Sequence, residues 1–430
     1  MSGFAPAAAA LLALLAKVDL DAVAIDEVRV GEAPVVAGQS STAIFAEVLT
    51  PSLGLHLLDH GLEVELAYAP RLFWQAASGV APAAPLWLNV VNLAATVQTG
   101  PRLKLTGKAS FSQGKTDYQY LSQMIFGPAQ ATTPQAIEVL SLTAGEVTEL
   151  RVDPTWTLIV EADAAYRRPS GGTPMTLNGE KITIPFPRQK GLQLTPIATD
   201  RLSTANDLVL SSGVNLQSTS SISNGMVTAM NVGDFDVLTV TPEVGWRTRP
   251  SPWRELHLAA GVAYNHVIKT PYDVPFQPLA PIANADFSVN VMTGHEAAYR
   301  GTVSAAVDYY VNPVIATAGP RGLLGGAIYY AIPDWMVGLQ GTFATPIGTR
   351  SLAAWEQKNP GSTVQPDETV ASLALPVRHR ISESFIVEMG GRWSDRGPRL
   401  SSDFAFHQRQ LWVYLTLTAT SVPVRSSLTP

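Results

Sequence analysis

The 430-residue chain contains no cysteine. That absence excludes a disulfide scaffold, a thiolate metal site and a lipid-modified N-terminal cysteine, and it fits an oxidising envelope compartment. Charge is scarce: 15% of residues are Asp, Glu, Lys or Arg, against about a quarter in an ordinary soluble domain. The net charge of −6 argues against a nucleic-acid partner. Long apolar runs are missing too. The longest, Phe4 to Ala16, falls short of the roughly 18 residues a membrane-crossing helix needs. There is no nucleophile elbow, no H-E-x-x-H, no P-loop and no G-x-G-x-x-G, so neither an enzyme nor a cofactor is expected.

Yet 46% of the residues are hydrophobic. They are arranged in alternation, as Val152 to Arg167 (VDPTWTLIVEADAAYR) shows. Trp156, Leu158, Val160, Ala162, Ala164 and Tyr166 share one face, and Thr157, Glu161, Asp163 and Arg167 the other. A period of two is strand geometry. An aromatic stands near each end of the apolar face. High apolarity without long runs is what a transmembrane β-barrel shows, since lipid-facing residues are diluted by lumen-facing ones.

The pattern repeats along the chain. Thr42 to Leu58 is a strand interrupted by Pro51, and Asp59-His60-Gly61 turns it into Leu62 to Gln75. The turns near Gly61, Pro101, Pro154, Ser203, Pro252, Gly294, Pro333 and Ser382 recur roughly every 40–50 residues, a period that propellers share. A propeller blade holds four short strands. Here each repeat holds two of about 10–14 residues, long enough to cross a membrane at a tilt, with one short and one long connection. Asp286 to Met292 is read as a strand preceded by a loop to about Pro281. The last strand spans about Phe406 to Thr420.

From Thr42 onward the strands number about seventeen, and bacterial barrels have an even number. Counting Val23 to Val30 as a first strand gives about eighteen and puts both barrel ends in the periplasm. The fold expected is therefore all-β, a closed antiparallel barrel in the bacterial outer membrane. It spans 22–420, between an N-terminal segment 1–21 and a tail 421–430. Ala7 to Leu15 is either a weak secretion signal or a short periplasmic helix: no basic residue precedes it, and Leu14 occupies the position where cleavage favours a small side chain.

At about eighteen strands side chains cannot fill the interior, so an aqueous lumen is expected unless loops plug it. Glu63, Glu65, Arg71, Lys104, Lys108, Glu161, Asp163, Arg167, Glu255, His257, Asp308, Glu388 and Arg392 are candidates to line it; any wet wall must be polar, so the set defines no filter by itself. Tyr68, Trp74, Trp156, Tyr166, Tyr264, Trp335 and Trp393 suit interfacial girdles. His56 and His60 lack a carboxylate to complete a metal shell. Asp403 with His407, or His266 with Asp273, are the pairs a rim hydrolase would use. Loops Asp117 to Pro134, Pro169 to Lys190 and Ser218 to Gly233 are expected to select what passes.

Four stretches carry a family likeness: TPSLGLHLLDHGLEVELAYAPRLFW, VDPTWTLIVEADAAYR, DETVASLALPVRHRISESFIVEMGGRW and FAFHQRQLWVYLTLT. They resemble a group of outer-membrane barrels of myxobacteria and related bacteria, some associated with Wzx/Wzy-type polysaccharide pathways. The resemblance implies a passive conduit for exopolysaccharide, a lipid bilayer as solvent and a periplasmic export component as partner. The alternatives are a porin-like diffusion channel for small solutes, a rim hydrolase and a plugged structural barrel. The chain departs from the pattern at its end, SVPVRSSLTP, where a terminal aromatic is usual; QLWVYLTLT is expected to supply the assembly signal instead.

Overall fold

The computed structural model describes residues 18–34, 41–59, 61–78, 84–117, 136–170, 175–177, 180–182, 188–220, 234–269, 278–293, 297–312, 317–347, 368–398 and 408–421. Alternation translates into strands nearly everywhere. In chain order they are β1 (Val18–Pro34), β2 (Ser41–Asp59) and β3, a strand in two segments (Leu62–Tyr68 and Arg71–Ala77). There follow β4 (Leu86–Thr99), β5 (Leu103–Asp117), β6 (Ala136–Arg151), β7 (Trp156–Ser170) and β8 (Arg188–Arg201). Next come β9 (Asn206–Ser220), β10 (Phe235–Ser251), β11 (Arg254–Lys269), β12 (Leu279–Thr293) and β13 (Ala297–Asn312). The last are β14 (Thr317–Ile332), β15 (Trp335–Pro346), β16 (Glu368–Ser382), β17 (Phe385–Pro398) and β18 (Gln408–Thr420).

Each strand pairs antiparallel with its chain neighbours, and β1 also pairs with β18, which closes the sheet. The two segments of β3 lie end to end between β2 and β4, so the barrel has 18 strands. Closure removes both edges and satisfies the backbone within the sheet. At a strand spacing of ~4.8 Å and a tilt of ~40°, eighteen strands enclose a circle of roughly 18 Å radius at the backbone.

The barrel begins four residues earlier than the alternation suggested. β1 starts at Val18, inside the segment assigned to 1–21, and pairs with β2 through its whole length. Alternation hides this start because Val23, Ala24 and Ile25 interrupt it and Asp26 falls on the apolar face. β12 likewise starts at Leu279: Pro281 sits in the ladder opposite Val262, as Pro51 sits opposite Ala24. Ala69-Pro70 interrupts β3, which the sequence presented as one strand. Of the three long loops, the first lies at 118–135, outside the described residues. The second begins after Ser170 and holds a small hairpin, Met175–Leu177 with Glu180–Ile182. Beyond Ser220 the third lies outside the described residues.

The short turns are made locally. Asp153 Oδ1 accepts the backbone N–H of Thr155 at 2.8 Å and of Trp156 at 2.7 Å, and Ser203 Oγ plays the same part for Ala205 and Asn206 at 3.2 and 3.1 Å. Gly61 and Gly100 take φ of 87° and 71°, the left-handed region open to glycine. The barrel ends meet at this same rim: Ser421 N–H donates to the Ala22 carbonyl at 2.8 Å.

Candidate functional site

Register fixes which residues share a face, because directly paired residues point to the same side. Following the ladders around the barrel, all thirteen candidate polar residues fall on one face. Glu63 and Glu65 pair with Thr96 and Ala94. Lys104 pairs with Glu149, and Asp163 with Gly145. His257 pairs with Asp286, Asp308 with Arg321, and Glu388 with Thr416. All seven candidate aromatics fall on the opposite face, together with most of the exposed Leu, Val and Ile side chains. In a closed barrel that apolar face points outward. A closed barrel with its apolar side chains outside is the architecture of a bacterial outer-membrane protein, and the chain belongs in that membrane.

The apolar face is not purely apolar. Asp26, Glu47 and Glu146 stand on it, opposite Leu49, Val28 and Ala162. Nor is the inner face purely polar. Ile44, Ala46, Val48, Phe73, Leu86 and Leu88 are buried on it, as are Phe235, Val237, Ala263, Ala280 and Ile282 on the far side. These buried positions lie toward the long connections. Toward the short turns, Glu63, Glu65, Lys104, Lys108, Asp163, Asp286 and Arg300 are exposed. The inner face therefore carries exposed charges toward the short turns and most of its buried apolar side chains toward the long connections, although Val209, Ala298 and Ala331 are buried near short turns.

Several charges along the wall are paired across neighbouring strands. Arg249 joins Asp207 and Glu255, each at 2.9 Å. Arg321 holds Asp308 at 2.6 Å and lies 4.2 Å over the Tyr310 ring. Arg378 donates to Glu388 from two nitrogens at 2.8 and 3.0 Å. The Tyr414 hydroxyl donates to the other Glu388 oxygen at 3.0 Å, and Arg392 lies 4.5 Å over the Tyr414 ring. Arg71 is buried and donates to Thr116 at 3.1 Å. Pairing lets charged residues sit in the wall without leaving one sign uncompensated.

Tyr329 and Tyr414 lie over glycines of the adjacent strand. A Cβ on Gly338 would meet the Tyr329 ring at 2.7 Å, and one on Gly390 would meet the Tyr414 hydroxyl at 2.7 Å. Both rings therefore lie along the wall.

The residues missed from sequence include Arg300, Tyr329, Gln340, Arg378 and Tyr414. The signal for Arg300 was available: it lies an even number of residues before Asp308 in one strand, so it shares its face. Tyr329 and Tyr414 were hidden because an aromatic suggests the outer girdle. Of the hydrolase pairs, Asp403, His407 and Asp273 lie outside the described residues, and so does His60. His266 is on the apolar face, opposite Leu238. Among the described residues no group of three or more His, Cys, Asp or Glu side chains stands in position to hold a metal.

No family model matches the chain, and no curated protein matches it. Among solved structures it is similar to the copper transporter OprC, at 9% identity and a TM-score of 0.47 over 94% of this chain and 80% of that one. It is also similar to a ferric enterobactin receptor variant from Pseudomonas aeruginosa, at 9% identity and a TM-score of 0.48 over 93% and 80%. A third is the outer membrane protein OpdK from the same organism, at 7% identity and a TM-score of 0.40 over 94% and 98%.

Proposed function

We propose that the chain is a passive conduit across the outer membrane for a polysaccharide leaving the cell. The observation that carries this reading is the gradient along the inner face: charged side chains exposed at the short-turn end, and a covered, partly apolar lining toward the long connections. With the short turns in the periplasm, the end with exposed charges receives cargo from inside. In this reading the thirteen polar candidates line the lumen and the seven aromatics anchor the barrel at its two interfaces. The paired charges give a wall that is hydrophilic without a strong field of either sign, which suits a long hydroxylated chain sliding past. The resemblance to myxobacterial Wzx/Wzy-associated barrels supports the cargo, and a periplasmic export component would feed it. No step of this function calls for bond making or breaking by the barrel.

The covered lining favours a second reading, a porin-like channel for small solutes. Deleting the gene separates the two. The conduit reading expects surface polysaccharide to fall while small-solute uptake is retained. Unchanged surface polysaccharide with slowed solute uptake would establish the second reading and dismiss the first.

A further inference from the structure

We propose that the inner wall between β12 and β17 carries a binding recess for a carboxylate-bearing sugar unit, anchored by Arg300. This rests on the reading of the barrel as a conduit with the polar face inside. The recess has a volume of about 510 Å³, within the ~300–1,000 Å³ typical of small-molecule sites, and it opens on the short-turn half of the wall.

Its chemistry is of three kinds. Arg300 is exposed and has no ion-pair partner among the described residues, whereas Arg321 and Arg378 are each tied to a carboxylate. Its guanidinium donors are therefore open to a ligand, and the planar fork matches a carboxylate with two parallel hydrogen bonds. Asn290 and Gln340 bring side-chain amides to the same recess. Gln340 donates to the Tyr329 hydroxyl at 2.5 Å, which fixes its orientation and leaves its carbonyl oxygen to accept. The remaining floor is apolar, from Ala298, Ala327, Met336 and Pro376. Glu388 also borders the recess, with its charge already engaged by Arg378 and Tyr414.

A pyranose acid meets all three: its carboxylate the arginine, its hydroxyls the amides, its C–H face the apolar floor. A neutral sugar leaves the arginine unused, and a bare inorganic anion leaves the floor uncovered. The same ligand chemistry exists as a free sugar acid and as a unit of a polymer, and the test separates them.

The experiment is current block in planar bilayers holding the purified full chain, with trigalacturonate, monomeric galacturonate or neutral maltotriose added on the short-turn side. Trigalacturonate is expected to interrupt the current at a concentration at least ~tenfold below maltotriose. Its block should weaken as salt rises from about 0.1 M to about 1 M. Arg300→Gln should raise the blocking concentration by ~tenfold or more, and Arg300→Lys, which keeps the charge but loses the fork, by less. Block by the monomer as strong as by the trimer assigns the recess to free sugar acids, and tighter block by the trimer assigns it to a polymer; either upholds the site. Current that responds equally to trigalacturonate and maltotriose overturns the recess and leaves the conduit standing. So does equal block of the parent and both variants. A chain that passes no current fails the conduit reading, and trigalacturonate titration of intrinsic fluorescence in detergent then decides the recess alone: saturable binding upholds it and no response overturns it.

Discussion

Val30 and Val413 stand directly opposite each other in the antiparallel ladder that joins the first strand to the last. Both are exposed on the outer face. Direct partners in such a ladder have Cα atoms ~4.5–5.5 Å apart, within the span a disulfide bridges. Because the chain has no cysteine, Val30→Cys with Val413→Cys gives an unambiguous probe of the seam. After folding and oxidation the double variant should lose both free thiols, and a protease cut in a long connection should leave the fragments joined until reductant is added. Free thiols that persist under oxidation would mean the barrel does not close through β1.

Glu146 occupies the outer face four residues from Leu142 on one side and four from Leu150 on the other. Its ladder partners are Gly107 and Ala162. Among the described residues, only the Thr148 hydroxyl, at 3.2 Å, bonds its carboxylate. A charged residue on a lipid face costs stability, by ~2–4 kcal/mol for a basic residue at the midplane and less for an acidic one. Glu146→Leu should therefore stabilise the barrel by about 1–2 kcal/mol, read as a higher urea midpoint in bilayers. A lower midpoint would show that the carboxylate meets a partner inside the membrane.

These residues also show how far the sequence could be read. Strand number and closure were legible because hydrophobic alternation and short turns recur through the chain, and the parity of the strands then required a first strand before Thr42. The division of the thirteen charged candidates from the seven aromatics follows from the same period of two. What alternation could not supply was depth. Phe73 and Phe235 are apolar yet face inward because the inner wall is covered at their level, and Asp26, Glu47 and Glu146 are acidic yet face outward. Nor could a pattern within one strand reveal cross-strand partners. Arg300 differs from Arg378 only in what stands opposite, since Arg378 faces Glu388 and Arg300 faces Asn290 and Tyr329.

The turn after β6 carries a pH signature. Asp153 is fully exposed, and the backbone N–H groups of Trp156 and then Thr155 hold its carboxyl below the ordinary aspartate value of 3.8. A depressed value means that the turn is stabilised above the unfolded-state pKa and loses that contribution as pH falls through the folded one. The Trp156 amide resonance in micelles should titrate with a midpoint below the ordinary value. The Asn206 amide, held by the non-titrating Ser203 hydroxyl, should show no such step. A Trp156 midpoint at or above the ordinary value would contradict the assigned hydrogen bonds.

Gly338 lies beneath the Tyr329 ring, which borders the recess. Any side chain there must lift the ring. Gly338→Val should destabilise the barrel by ~1–3 kcal/mol, as overpacking does, while Gly107→Ala, where no atom lies within 4 Å of the added methyl, should change little. Equal urea midpoints for both variants would mean that the ring does not rest on the glycine.

The central claim is that this closed barrel encloses a continuous aqueous path. Ion conductance across a planar bilayer tests it most directly, using protein whose folded state is shown by heat-modifiable gel mobility. The account predicts discrete current steps on insertion. Folded, inserted protein that leaves the bilayer silent would contradict it and make the barrel a plugged, structural one.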